Sequence, residues 1–408
     1  MIGGGAAGFF CALTAARRNR DLQITIVEKS AKLLSKVKVS GGGRCNVTHA
    51  CFEIPEMIRH YPRGANFLKK AFHQFFTTDT VEWFKERGVS LKAEADGRMF
   101  PITDSSQTII DCLLREANQL GINIIMNADV KQIIPSNDSF DLQYSASAAD
   151  RGLPTADILC IATGGSPKSA MFDWIKKLGH SIEEPVPSLF TFNTPSHTIT
   201  QLMGVSVASA KVKILNTKLE QRGPVLITHW GLSGPAILKL SAWGARELAG
   251  MNWEFGIRIN WLPEFDEGSF RNKFQSLRAE LASQKIYFKN SFGLPQRLWE
   301  FLLNESEVKK EFNWADLPAK SQNTMINNLL GYEMQIKGKT TFKEEFVTAG
   351  GIRLSEIDAN TMMSKKIPNL FFAGEVMDVD GVTGGFNFQH AWTSGFIAGK
   401  SIAGETRD

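Results

Sequence analysis

Residues 1–10 read "MIGGGAAGFF", and Gly3-x-Gly5-x-x-Gly8 is the spacing of a turn that wraps a pyrophosphate. Glycine is needed there where the backbone bends sharply, where it approaches phosphate, and where the next helix packs on a sheet. Gly3, Gly5 and Gly8 fit those three positions. A helix predicted over about Ala7–Asn19 carries Cys11, Ala12 and Ala15 on one face, small enough for close contact with a sheet. Its N-terminal amides and dipole favour bound phosphate. The β-branched run "LQITIVEK" (22–29) then reaches Glu28, about 20 residues after Gly8, where an acid takes ribose hydroxyls and disfavours a 2′-phosphate. Such a turn normally follows a buried strand, yet only Met1 and Ile2 precede this one. The expectation is a truncated central strand, with cofactor affinity and stability reduced.

The 408 residues, 43% hydrophobic and 22% charged, suit a folded chain of two or three domains. A net charge of +4 with no block of like charges permits an RNA substrate without implying one. The five cysteines (Cys11, Cys45, Cys51, Cys112, Cys160) form no CxxC pair and have no histidine at metal-ligand spacing. They point to a reducing, cytoplasmic setting and to no metal site. Arg17 and Arg18 follow the first apolar run, where a signal peptide needs its charges before it. No apolar run is long enough to predict a membrane span.

Further along, "KVSGGGRCNVTH" (38–49) is a second glycine-rich loop, able to bring bare backbone and the Arg44 guanidinium against a ligand. Residues 64–87 predict helix, "ADGRMFP" (95–101) a hairpin at Asp96-Gly97, and Asp104 caps a helix running to Gly121. Strands are expected around "NIIMNADVKQII", "FDLQYSA" and "ADILCIATGG", the last ending at Gly164-Gly165. From about Pro187 the texture changes to alternating strands, then to helical stretches near 267–283, 294–304 and 318–330. This predicts an inserted domain, 187–339, between two parts of a nucleotide-binding domain, 1–186 and 340–408. The closing segment has a buried strand, Leu370–Ala373, ending at Gly374-Glu375, and Thr383-Gly384-Gly385 before a helix. A carboxylate and a helix N-terminus at a sheet edge suit a ring system that becomes negative on reduction.

Together the fingerprint, "SGGGRCNVTH", "GRMFP", "IATGG", "THWGLSGPAIL", "FVTAGGI" and "FFAGEVMDVDGVTGGFNFQHAW" resemble the BaiN-like (YhiN) family of FAD-dependent oxidoreductases, flavoproteins of the aminoacetone oxidase type. The resemblance implies an α/β glutathione-reductase-like Rossmann FAD domain with an inserted β-barrel and a helical subdomain at about 266–332. It implies that Gly3, Gly5, Ala6, Ala7 and Gly8 hold the pyrophosphate, with Glu28 and Lys29 at the ribose. Arg44, Cys45, Asn46 and Val47 would line the flavin-side loop, Val130 would meet adenine, and Thr163, Gly164 and Gly165 would lie near the adenosine half. Gly374 and Glu375 would take the ribityl chain, and Gly385, Phe386 and Asn387 would lie under the isoalloxazine. Two departures stand out: the loop after "IATGG" is a short "SPKSAMFDW", expected to reshape the entrance, and His390 replaces a Trp or small residue.

A flavin performs its own hydride or electron transfer, so few catalytic side chains are needed. The candidates are Cys45 as a thiolate, His390 as a proton donor and His229 as a substrate contact. No GxSxG elbow, HExxH or Walker loop is present. No second convincing GxGxxG opens a helix, so NAD(P)H would bind only transiently as electron donor. The expected substrate is either a small amine- or ketone-type molecule or a uridine in ribosomal RNA. The alternative is a degenerate flavoprotein or nucleotide-binding scaffold without turnover.

Overall fold

The computed structural model describes residues 1–137, 139–144, 155–340 and 347–404. Ser145, Ala146 and Phe346, which end or begin two of the motifs quoted above, lie outside them. The chain forms two compact units, Met1–Ser188 with Lys343–Asp408, and Leu189–Phe342.

The first unit is built on a parallel sheet. Thr25–Val27 pairs with Asn123–Ile125, and Leu159–Ile161 pairs with Leu370–Phe372. Between these pairs stands Ile2, bridged in parallel to both Val27 and Ile161. Ile2 N–H donates to Cys160 O, Ala162 N–H to Ile2 O, Gly3 N–H to Val27 O and Val27 N–H to Met1 O, all at 2.8 Å. Met1–Gly3 therefore occupies the central strand position and positions the turn. The resulting order places the strand at Ile2 centrally, with the second and third strands on one side and two later ones on the other, as in doubly wound nucleotide-binding folds.

Helix Ala6–Arg18 follows the turn and packs on the C-terminal helix Phe386–Ile402. A Cβ on Gly395 would come within 2.5 Å of Ala7 O, and one on Gly399 within 2.4 Å of Cys11 O. Both helices advance four residues between these contacts, so they run parallel at near backbone contact. Their N-termini lie on the same side.

Several local expectations shift. Ser105, not Asp104, caps helix Ser106–Gln119, its hydroxyl accepting the Gln107 N–H. The predicted helix over 64–87 is two, Ala65–Ala71 and Thr77–Lys85, separated where the Phe76 N–H turns to the Asp79 carboxylate. The Asp96-Gly97 hairpin joins Leu91–Ala93 to Arg98–Pro101, and Thr48–His49 adds to its other edge.

The second unit carries antiparallel strands in the order 332–337, 254–260, 206–214, 220–227, 231–233, 191–193 and 339–340. The two terminal strands are one segment bent at Gly338 (φ +92°), so the sheet closes into a barrel. Helices Glu267–Glu280, Gln296–Glu305 and Ala319–Leu330 pack around buried Trp261, Trp299 and Trp314 in the same core. No helix among the described residues is long and apolar enough to cross a membrane.

Candidate functional site

At Gly3 and Gly8 of the first turn the backbone leaves no room for a side chain. Gly3 has φ +112° and its Cβ would lie 2.4 Å from Ala162 O; a Cβ on Gly8 would lie 2.1 Å from Gly3 O. At Gly5 an added Cβ meets nothing, so the backbone before the helix faces open space. The first helical turn holds no acid to cancel the dipole. Glu28 is held by this turn: Oε2 accepts the Gly4 N–H at 2.9 Å, and Oε1 accepts from Ser30 N–H and Oγ at 3.0 and 2.9 Å.

A cavity of about 250 Å³ opens beside it. Of the residues expected at the adenosine half, Glu28, Lys29, Val130, Thr163, Gly164 and Gly165 line it together with Gly3 of the pyrophosphate turn. The sequence reading did not foresee much of the wall, which includes Asp129, Lys131, Met171, Trp174 and Lys177. The segment "SPKSAMFDW", expected to reshape the entrance, contributes Ser166, Ala170, Met171, Phe172, Asp173 and Trp174 to the lining of this cavity. Its aromatic and thioether content was a visible signal, but only tertiary placement shows what it faces.

The second end lies across Gly165, where a Cβ would come within 2.8 Å of the Glu375 carboxyl carbon. Glu375 Oε1 accepts the Thr348 N–H at 2.8 Å, and Oε2 pairs with the Lys36 ammonium. The buried Thr348 hydroxyl has no hydrogen-bond partner among the described residues. Gly374 abuts Ala7, tying this loop to the first helix.

At the C-terminal helix start, Gly385 takes φ +93°, with no acid in the first turn. With its amide carbonyl turned to Gly385, Asn46 accepts that N–H at 2.9 Å and donates to Thr48 O at 3.0 Å. Asn387 spends its side chain on the loop, accepting from Gly381 N–H at 2.8 Å and donating to Gly381 O at 2.9 Å. Phe386 stacks against the rings of His49 and His60, and the Tyr61 hydroxyl donates to Phe386 O at 2.7 Å. The preceding loop is anchored by the Arg63–Asp380 ion pair and by Ser188 Oγ, which donates to Asp380 at 2.8 Å. His60, Tyr61 and Arg63 were missed because no local motif carries them, and His49, although it ends the second glycine-rich motif, has no signal there for its contact with Phe386.

Five further expected residues are placed as follows. Arg44 is engaged by Glu94 at 2.6 Å and lies 4.0 Å from the Phe100 ring centroid, so it braces the hairpin. Cys45 is buried, and burial pushes its thiol up to about 12, which removes the thiolate its candidacy required. His390 is buried with neither ring nitrogen hydrogen-bonded among the described residues, and desolvation pulls it down to about 4. A histidine neutral in that way does not donate a proton at neutral pH. His229 is exposed in a turn of the insert, its ring against Trp230. Val47 turns its carbonyl to the Trp392 indole N–H at 2.9 Å, serving packing.

One arrangement imitates a hydrolase. Ser364 Oγ lies 3.0 Å from His180 Nε2, and His180 Nδ1 2.9 Å from Glu356 Oε2. The serine oxygen also accepts N–H bonds from Lys366 and Ile367, both 3.0 Å, and the His180 side chain has no exposed surface. Neighbouring N–H donors and Lys366 hold Glu356 down at about 2, against its burial. This is a polar strut between three segments, closed to substrate. Among the described residues no group of three His, Cys, Asp or Glu could hold a metal ion.

The fold and the paired helix starts define a Rossmann-type α/β nucleotide-binding unit of the kind found in FAD flavoenzymes, interrupted by a barrel. Within that class the chain belongs to the HI0933-like Rossmann-domain family, whose model matches residues 1–401. It is 26% identical over 413 residues to the 3-dehydro-bile acid delta(4,6)-reductase of Clostridium scindens, covering 99% of this chain and 98% of that one. It is 28% identical over 417 residues to the ribosomal RNA dihydrouridine synthase of Escherichia coli, covering 98% and 97%. In structure it is similar to the 3-ketosteroid-delta4-(5alpha)-dehydrogenase of Rhodococcus jostii, with TM-score 0.53 and 13% identity over 99% of this chain and 96% of that one.

Proposed function

We propose that this chain is an FAD-dependent oxidoreductase that reduces a carbon–carbon double bond conjugated to a carbonyl. The observation that carries the reading is the offset of two parallel helix N-termini. Gly395 meets the first helix at Ala7, near its start, so the C-terminal helix begins just over two turns further out, roughly 12 Å at 1.5 Å per residue. A dinucleotide needs one positive helix end for its pyrophosphate and, a ribityl length away, another for the reduced ring.

The residues fit that group. Gly3 to Gly8, with Ala6 and Ala7 beginning the helix, would hold the pyrophosphate against bare backbone. Glu28, already oriented by Gly4 and Ser30, would accept ribose hydroxyls, and Glu375 would accept from the ribityl chain. Gly385, Phe386 and Asn387 would set the helix end beneath the ring, with Asn46 keeping Gly385 in place. When bound, FAD supplies hydride transfer. The protein orients it and stabilises negative charge at the C-terminal helix start.

The substrate class follows from what two relatives with different names share. A 3-oxo steroid with double bonds at positions 4 and 6 and a uridine at its 5,6 bond both present an alkene conjugated to a carbonyl. Basic residues outnumber acidic ones in the insert, and Lys213, Arg222 and Lys337 occupy solvent-facing positions on its strands. That favours ribosomal RNA over a small enone. A diffusing two-electron donor such as NAD(P)H would reduce the cofactor between turnovers.

The test is the visible spectrum of the purified protein with NADH or NADPH under anaerobic conditions, followed by nucleoside analysis of ribosomal RNA from cells with and without the gene. Bleaching of flavin bands and loss of dihydrouridine in the deletion are expected. Flavin that turns over only with a small enone would move the substrate. A protein that never retains flavin would leave a nucleotide-binding scaffold.

A further inference from the structure

The adenosine-end cavity raises a question of size and chemistry that the glycine fingerprint does not answer. About 250 Å³ is smaller than the roughly 300–1,000 Å³ of sites that enclose a drug-sized ligand. It suits one part of a dinucleotide. Glu28 stands at one side as the ribose acid, so the part beyond it is the base. That region is formed by the Val130 strand and, facing it, by residues 169–177. Helix Asp173–Lys177 packs on strand Val130–Pro135, and Trp174 lines the cavity half-buried. Met171, 43% exposed, lines it beside Trp174. The carboxylates of Asp129 and Asp173 are paired with Lys131 and Lys176. What remains toward the base is an indole, a thioether and aliphatic carbon, with the Lys177 side chain beside them.

We propose that Trp174, supported by Met171, is the stacking wall for the adenine of the cofactor, so that this segment sets how tightly the adenosine half is held. The inference rests on the FAD reading above and goes beyond it in assigning base recognition to a segment outside the shared glycine and carboxylate motifs. An aromatic face and a polarisable sulfur suit a purine, whose π surface gains from stacking without needing a donor or acceptor on the wall. Glycine turns and helix dipoles recognise phosphate alone and cannot discriminate a base.

The experiment titrates full-length protein freed of flavin with ADP, with FAD and with inorganic pyrophosphate, reading heat and tryptophan emission. ADP is expected to quench wild-type emission, and Trp174→Phe to remove most of that quenching while retaining most of the affinity. Trp174→Ala should weaken ADP and FAD by roughly ten- to a hundred-fold, the range of one base–aromatic stack, and leave pyrophosphate unchanged. Met171→Ala, at an exposed position that does not endanger folding, should weaken ADP several-fold. Unchanged ADP affinity in Trp174→Ala, or an equal loss for pyrophosphate, would overturn the proposal. Wild-type protein that binds ADP but never flavin would sink the flavoprotein reading while leaving the stacking wall in place.

Discussion

The two helix starts of the nucleotide unit reach similar ends by different means. At the first, Gly3 and Gly8 fix the turn because no side chain fits, and Gly5 faces open space. At the second, Gly385 is one member of a network in which Asn46, Asn387, Tyr61 and the Arg63–Asp380 pair hold a longer loop. The first is a backbone device, its eight residues confined by Gly3 O and Ala162 O. The second depends on side chains drawn from segments hundreds of positions apart. Substitutions should separate them: the first end fails by crowding, the second by leaving polar groups without partners.

The largest effect is expected at the second end. Asp380→Ala leaves the Arg63 guanidinium, 11% exposed, without its carboxylate. Removing one member of a buried pair costs about 3–5 kcal/mol, read as a lowered denaturant midpoint at unchanged slope. A loss under about 1 kcal/mol would show that the loop is held elsewhere.

Next is His390, whose effect depends on pH. Burial lowers it from 6.5 to about 4, so between those values the unfolded chain binds a proton that the folded chain refuses. Stability is full above pH 6.5 and falls as pH drops toward 4, by about 3 kcal/mol at most. His390→Phe should flatten that acid limb of the melting profile. An unaltered limb would mean that the ring is protonated or partnered in the folded protein.

Gly8→Ala tests the first end. Overpacking of this kind costs about 1–3 kcal/mol. Its larger consequence should be on the cofactor, since displacing Gly3 O disturbs the turn itself, and the purified variant is expected to be colourless. Retention of flavin there would remove the distinction between the ends. The smallest effect is predicted for Cys45: with its thiol near 12 and no exposed surface, it should resist alkylation at pH 8 in the native protein and react only on unfolding.

How legible each end was follows from the same contrast. Gly3, Gly5, Gly8 and Glu28 were readable because one turn, one helix and one strand contain their whole logic. Ile2 was harder: a strand reduced to one bridged residue has no periodicity, and only its four neighbouring hydrogen bonds reveal it. The alternating strands and helical stretches of the insert could be read from pattern, while the barrel was implied only by the family resemblance, since its closure depends on Gly338, which any loop could hold. At the second end the motif residues were identifiable while their work was not. Arg44 looked like a ligand donor until Glu94 and Phe100 were placed beside it. Trp174 had no motif, because stacking requires only a flat face in the right place.

The contact between the first and last helices also sets a timetable. Phe10, wholly buried in the folded protein, leaves the ribosome long before Gly395, which packs against it. At about 5–20 residues per second the interval is roughly 20–80 s. Through all of it an apolar N-terminal segment waits without its final partner. Synthesis therefore gives this protein a long window of exposure, and nascent-chain binding by chaperones should begin at the first helix and end only when the last has emerged.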